Sequence, residues 1–218
     1  MQTSKRIQTS SLTIATLFCV VCPIIGYLKI GLPPVIIVGG SAVLALFFWY
    51  FTYLKNPTEP NVILPLFILT VAGLQIHIIE EYLSGFGPAM SRLFNIPWSE
   101  RSFLMIFALV GPTIYTLTIL GLYKRVPLAG FIAWFIFIGP GVAEFTHFIF
   151  PVLQPAIEPT NINSISQQIK GTQIDNMHNY YYKVTGRYYF AGMYTAILPM
   201  VPGIYAIYRL TKKHKPIK

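Results

Sequence analysis

Residues 61–83 read "NVILPLFILTVAGLQIHIIEEYL", an apolar run that ends with a histidine and two adjacent glutamates. The run reaches the ~20 residues that an α-helix needs to cross a bilayer. Hydrophobic residues make up 54% of the chain and charged residues only 11%, and the mean hydropathy is +0.58. A soluble domain normally carries about a quarter charged residues. The sequence therefore predicts a polytopic membrane protein.

Several apolar segments of this kind predict an all-α bundle of about six transmembrane helices, over residues 11–29, 33–54, 61–83, 102–123, 126–150 and 188–210. Continuous apolar runs favour helices, because a β-barrel shows short alternating strands. Residues 1–218 are interpreted as one domain, with short basic tails at 1–10 and 211–218. In the longest connection, residues 162–184 repeat apolar side chains at helical intervals, which predicts an amphipathic helix at the outer interface.

The distribution of Lys and Arg predicts the orientation in the membrane. The two termini and the loops on their side hold ten of these residues, and the other three loops hold six. Positive residues are retained in the cytoplasm, so both termini are predicted to be cytoplasmic. The net charge of +9 then reflects topology and contact with membrane lipids, and no nucleic-acid-binding module is recognisable.

Acidic and imidazole side chains recur near the predicted outer ends of the third and fifth spans. His77, Glu80 and Glu81 share one helix face, since positions i, i+3 and i+4 project together. Glu144 and His147 are three residues apart near the end of the fifth span. These five side chains are therefore predicted to meet at one depth.

Two neighbouring features add to this group. The Gly-Pro-Gly break at 139–141 is expected to kink the fifth span and free backbone carbonyls, which is tolerated where the backbone lines a protein cavity. Beyond the membrane edge, Asp175 and His178 are again three residues apart, with His178 on the apolar face of the predicted interfacial helix. This pair is predicted to cap the cluster from outside.

The third and fifth spans contain no Lys or Arg that could pair with the acids. A charged side chain at the centre of a bilayer costs about 2.5–3.5 kcal/mol on insertion scales. The glutamates therefore need histidine partners, protons, water or a metal. Three interpretations stay open: a metal site, a metal-free acid–base site, and polar residues that form structural hydrogen bonds.

The metal interpretation rests on Glu-x-x-His, the helix pattern by which di-iron bundles project ligands inward. Imidazole and carboxylate ligands suit Fe, Mn or Zn. The candidate metal ligands are His77, Glu80, Glu81, Glu144, His147, Asp175 and His178. The candidate catalytic groups are Glu80, Glu81, Glu144 and Tyr189.

Two family resemblances bear on these residues. "HIIEE" at 77–81, the later His147 and "YFAG" at 189–192 resemble the HXXEE membrane family, whose pattern includes a second histidine and Y-x-P-G. Ala191 stands where that family has proline. The resemblance covers roughly residues 60–210 and implies an integral membrane protein without specifying a reaction. "HIIEEYL" is also similar to the helix of the sterol isomerase and emopamil-binding group, which implies metal-free handling of a carbocation.

Taken with the residues, these patterns predict a metal-dependent enzyme, an oxidoreductase or hydrolase, acting on a lipophilic small molecule at the outer membrane face. The alternatives are a metal-free isomerase-like enzyme on a lipid or isoprenoid, and a non-enzymatic transporter or scaffold. A carrier needs polar groups through its full depth, and the inner halves of the spans have almost none. The sequence contains no G-x-S-x-G, Walker A or H-E-x-x-H motif.

Overall fold

The computed structural model describes residues 4–29, 31–94, 100–153 and 188–212, and every regular element among them is helical. In chain order the helices are α1 (Lys5–Lys29), α2 (Leu32–Thr52), α3 (Pro60–Leu83), α4 (Phe86–Phe94), α5 (Arg101–Tyr123), α6 (Pro127–Phe148), α7 (Phe150–Leu153) and α8 (Ile197–Thr211). Within the described ranges, α1, α2, α3, α5 and α6 are long and apolar enough to cross a membrane. The prediction of an all-α, multi-pass membrane protein is confirmed.

The last predicted span, 188–210, is helical only from Ile197. Residues 188–196, here named the α8 turn, are not helical: 188–190 have no regular secondary structure and 191–196 are in turns, and Gly192 has a φ of +86°. Backbone of this kind is tolerated at membrane depth where protein surrounds it, and Phe190 and Ala191 are buried. The prediction of a helix over 188–196 was wrong, and the predicted interfacial helix at 162–184 lies outside the described residues.

Helices α3 and α6 form the centre of the bundle. About half of the most apolar stretch of each is buried, 50% and 56%, against 17% in α1 and in α5. The outward surface is apolar, with Leu17, Leu28 and Leu117 all more than half exposed, as expected for side chains that face lipid. Helix α8 packs against both α3 and α6.

Glycines let the backbone of α8 come into contact with the backbones of α3 and α6. A Cβ atom on Gly73 would lie 2.6 Å from the carbonyl carbon of Leu198, and one on Gly203 would lie 2.8 Å from the Cα of Gly141. Small residues at such crossings are typical of membrane helix packing. Helix α8 is therefore held against α3 and α6 by backbone contacts along its first two turns.

Helix α6 changes its winding as it approaches this end. The segment Phe137–Val142, which contains Pro140, has π-helical turns, and Ala143–Phe148 has 3₁₀ turns. Proline has no N–H for the ordinary helical bond, so the winding departs from α-helical around the expected break. In a 3₁₀ helix, residues i and i+3 eclipse each other. Glu144 and His147 therefore project in one direction.

Candidate metal centre

Four of the predicted side chains meet at the ends of α3 and α6. His77 and Glu81 from α3, and Glu144 and His147 from α6, each offer one ligand atom, and these atoms all lie within 4.8 Å of one another. Oε2 of Glu144 lies 3.1 Å from Nε2 of His77 and 2.9 Å from Nε2 of His147. Oε1 of Glu81 lies 3.6 Å and 3.4 Å from the same two nitrogens. Each imidazole thus faces both carboxylates.

Local helix geometry accounts for this arrangement. His77 and Glu81 are four residues apart on α3 and so lie on one face, while Glu144 and His147 are aligned by the 3₁₀ turns. The two imidazole rings are nearly perpendicular, at an interplanar angle of 86°, with centroids 4.8 Å apart. The two helices therefore contribute one imidazole and one carboxylate each.

The cluster is enclosed and has an excess of potential negative charge. His77, His147 and Glu81 are buried, and only Glu144 keeps appreciable exposure, 17% of its side chain. Neither α3 nor α6 contains Lys or Arg. Two buried carboxylates with two neutral imidazoles need compensating positive charge, because an unpaired buried charge is costly. One divalent cation, or two protons, would make the group neutral.

The His–Glu separations are close to the spacing between two ligands of one metal ion, while the widest separation in the group, up to 4.8 Å, would have to shorten for all four atoms to bind that ion. Two ligands about 2.0–2.2 Å from an ion, at a tetrahedral angle, lie roughly 3.3–3.6 Å apart. The four His–Glu separations, 2.9, 3.1, 3.4 and 3.6 Å, are close to that range. Imidazole and carboxylate donors are the ligand types that Zn, Fe and Mn accept in proteins.

The α8 turn covers the cluster and contacts both histidines from the opposite side. Nδ1 of His147 lies 2.7 Å from the carbonyl oxygen of Ala191, and Nδ1 of His77 lies 3.2 Å from Oγ1 of Thr195. Gly192 sits directly above the group, where a Cβ atom would lie within 3 Å of both imidazole rings. The turn thus supplies no ligand to the cluster but contacts the far nitrogen of both histidines.

Glu80 lies outside this group, although it was predicted as a ligand beside Glu81. Its Oε2 accepts hydrogen bonds from the backbone N–H (2.7 Å) and the hydroxyl (2.6 Å) of Thr195. Its Oε1 accepts bonds from the hydroxyl of Tyr189 (3.0 Å) and the backbone N–H of Tyr194 (3.3 Å). Glu80 therefore anchors the α8 turn to α3, and Tyr189 takes part in this anchor.

The remaining predicted ligands, Asp175 and His178, lie outside the described residues.

Two features of the site were not predicted from the sequence. Thr195, which contacts both His77 and Glu80, is a threonine within the otherwise apolar "MYTAIL" at the start of the last segment, and that polar position was the available signal. The other is a wall of rings around His147, formed by Phe86, Phe150 and Phe190.

Fold and site together define a class, a multi-pass helical membrane protein with a buried His/Glu cluster at one end of its bundle. Comparison with protein-family models, with curated proteins and with solved structures gives no match. The function is therefore inferred from the geometry and chemistry of the cluster.

Proposed function

We propose that the chain is a metal-dependent membrane enzyme that acts on a lipophilic substrate at the His/Glu cluster. The observation that carries this proposal is the convergence of four buried ligand atoms within 4.8 Å. The contact of His147 adds a directional argument. A backbone carbonyl only accepts hydrogen bonds, so Nδ1 of His147 carries a hydrogen and donates it to Ala191. In the neutral imidazole, Nε2 then presents a lone pair to the cluster, as metal-ligating histidines do.

The ligand number bears on the reaction class. Four protein ligands complete a tetrahedral site, so an ion that also binds substrate needs five or six coordination positions, or must release one carboxylate. With such a position free, a divalent ion held by these four residues would polarise a bound oxygen or activate water. On that condition we propose an oxidoreductase or hydrolase, with Fe, Mn or Zn as the ion and Glu144 beside the reacting position.

The substrate is proposed to be lipophilic because of how the cluster is reached. Apolar side chains dominate the outward surface of the helices, and the one ligand with appreciable exposure is Glu144. We propose that a substrate dissolved in the bilayer approaches beside this carboxylate. From the distribution of positive residues, we place this end of the bundle at the outer face and both termini in the cytoplasm.

We further propose that the chain is of the HXXEE type. Support comes from the way the residues of that pattern contact one another: Glu80 accepts a bond from Tyr189, and His147 donates to Ala191. Ala191 contributes its carbonyl oxygen, a group that proline also has, so alanine at this position preserves the contact.

Elemental analysis of detergent-purified protein tests the metal assignment. We expect about one Fe, Mn or Zn ion per chain, and less than about a tenth of that in Glu144→Gln and His77→Ala. The matched control is Glu59→Gln, which removes an exposed carboxylate paired with Arg125 and leaves the cluster intact. At a free metal concentration about 100 times the Kd, binding should add about 2.7 kcal/mol to the stability of the wild type.

A wild-type protein that contains no metal, takes none up and is not stabilised by these ions would refute the metal assignment. That result would favour the second candidate, a metal-free isomerase acting on a lipid or isoprenoid. Its specific support is that Glu144 lies within hydrogen-bonding distance of both His77 and His147, so protons could hold the same group together.

A further inference from the structure

We infer that Thr195, which is held by Glu80, is a positioning residue that fixes the tautomer of His77. In this tautomer Nε2 of His77 carries no hydrogen and presents its lone pair to the cluster. The inference rests on the proposed metal function and extends it to a residue that coordinates nothing. Such outer contacts orient metal-ligating histidines in many proteins, and losing one typically costs about 10–100-fold in metal affinity.

The direction of each hydrogen bond follows from the donors available. Thr195 has one hydroxyl hydrogen, and its oxygen lies 2.6 Å from Oε2 of Glu80. The same Oε2 already accepts the backbone N–H of Thr195 at 2.7 Å, so this carboxylate oxygen acts as an acceptor. The hydroxyl hydrogen is thereby committed to Glu80.

The contact between Thr195 and His77 is then possible in one direction only. With its hydrogen committed, Oγ1 of Thr195 can only accept, and the 3.2 Å contact requires Nδ1 of His77 to be the donor. A neutral imidazole that carries its hydrogen on Nδ1 has its lone pair on Nε2. That nitrogen faces Glu144 at 3.1 Å and Glu81 at 3.6 Å, inside the cluster.

The arrangement gives Glu80 and Glu81 different tasks although they are adjacent in sequence. Glu81 faces the ligand group, and Glu80 faces the α8 turn one step around the helix. The turn holds both histidines by their far nitrogens, His147 through a carbonyl and His77 through Thr195. Removing the hydroxyl of Thr195 should therefore affect His77 and leave the tautomer of His147 unchanged.

The test compares Thr195→Val, which removes the hydroxyl at similar shape, with Thr195→Ser, which keeps it. Zn²⁺ affinity is measured by competition with a chelator, and ¹⁵N NMR of histidine-labelled protein, with His77→Ala for assignment, reports the tautomer. We expect Thr195→Val to bind Zn²⁺ about 10–100-fold more weakly. Thr195→Ser should stay within about threefold of the wild type, because its hydroxyl can make the same two bonds.

Equal Zn²⁺ affinity in the wild type and Thr195→Val would overturn this inference and leave the metal assignment standing. Equal weakening in Thr195→Val and Thr195→Ser would also overturn it, because the hydroxyl would then not be the cause. If the wild type binds none of Zn²⁺, Fe²⁺ and Mn²⁺, the metal assignment fails, and NMR of the metal-free protein still decides the inference. A hydrogen on Nδ1 of His77 in the wild type, lost from that position in Thr195→Val, supports it, and an Nδ1 of His77 that carries no hydrogen in the wild type refutes it.

Discussion

Gly192→Ala is expected to lose bound metal and to unfold on the order of 10 °C below the wild type. An added Cβ would lie 2.7 Å from Cγ of Glu81, 2.8 Å from Cε1 of His77 and 2.9 Å from Cε1 of His147. The φ of +86° at this position is also unfavourable for any residue with a side chain. Overpacking costs about 1–3 kcal/mol, and a strained backbone conformation about 1–3 kcal/mol.

The measurements are thermal unfolding in detergent and metal content per folded chain. The matched control is Gly40→Ala in α2, where a Cβ atom would meet nothing within 4 Å and the backbone is helical. Removing a glycine from a helix interior stabilises by up to about 1 kcal/mol, so this control should match or exceed the wild type. A Gly192→Ala protein with full metal content and wild-type stability would show that the α8 turn is not packed tightly against the cluster.

His147→Ala is the second change from which we expect a large effect. It removes one proposed ligand and leaves Glu81 and Glu144 with one imidazole fewer in a buried site. Once the metal is lost, the two buried carboxylates lack compensating positive charge, and an uncompensated buried charge costs about 3–5 kcal/mol. Metal content should fall to background, and the apparent melting temperature should drop on the order of 10 °C.

A second substitution in the same chain separates charge from packing. Adding Glu81→Gln to His147→Ala removes one of the unpaired carboxylates, so part of the stability should return while metal stays absent. The control for the aromatic wall is Phe150→Leu, which loses a ring 6.2 Å from that of His147 without changing any charge, and it should retain metal. If Glu81→Gln further destabilises His147→Ala, charge imbalance is not the cause of the loss.

Local periodicity was sufficient to predict which helix faces carry the side chains of the cluster. His77 and Glu81 share a face because they are four residues apart, and this holds whatever packs against them. The Gly-Pro-Gly break likewise predicts irregular winding before Glu144, because a proline cannot make the normal helical bond. Apolar length in turn predicted the long helices, because in lipid a helix is the way for a single segment to satisfy its own backbone.

The choice between adjacent residues required the tertiary structure. Glu80 and Glu81 look equivalent in the sequence, since both lie close to the face of His77. Which of them faces the cluster depends on where α6 and α8 pack around α3, and that packing is set by contacts between residues far apart in the chain, such as Gly73 with Leu198. The same holds for Thr195, which reaches His77 only because the chain leaves the helical path before α8.

Hydrophobic length and helical spacing are properties of short segments, so they were enough to predict a helical membrane protein with imidazole and carboxylate side chains at one end of two helices. Which four of these side chains form one group, and which residues contact them from the other side, follows from the fold alone. Separations of about 3 Å between atoms of different helices are set by how whole helices pack, and no single segment encodes them.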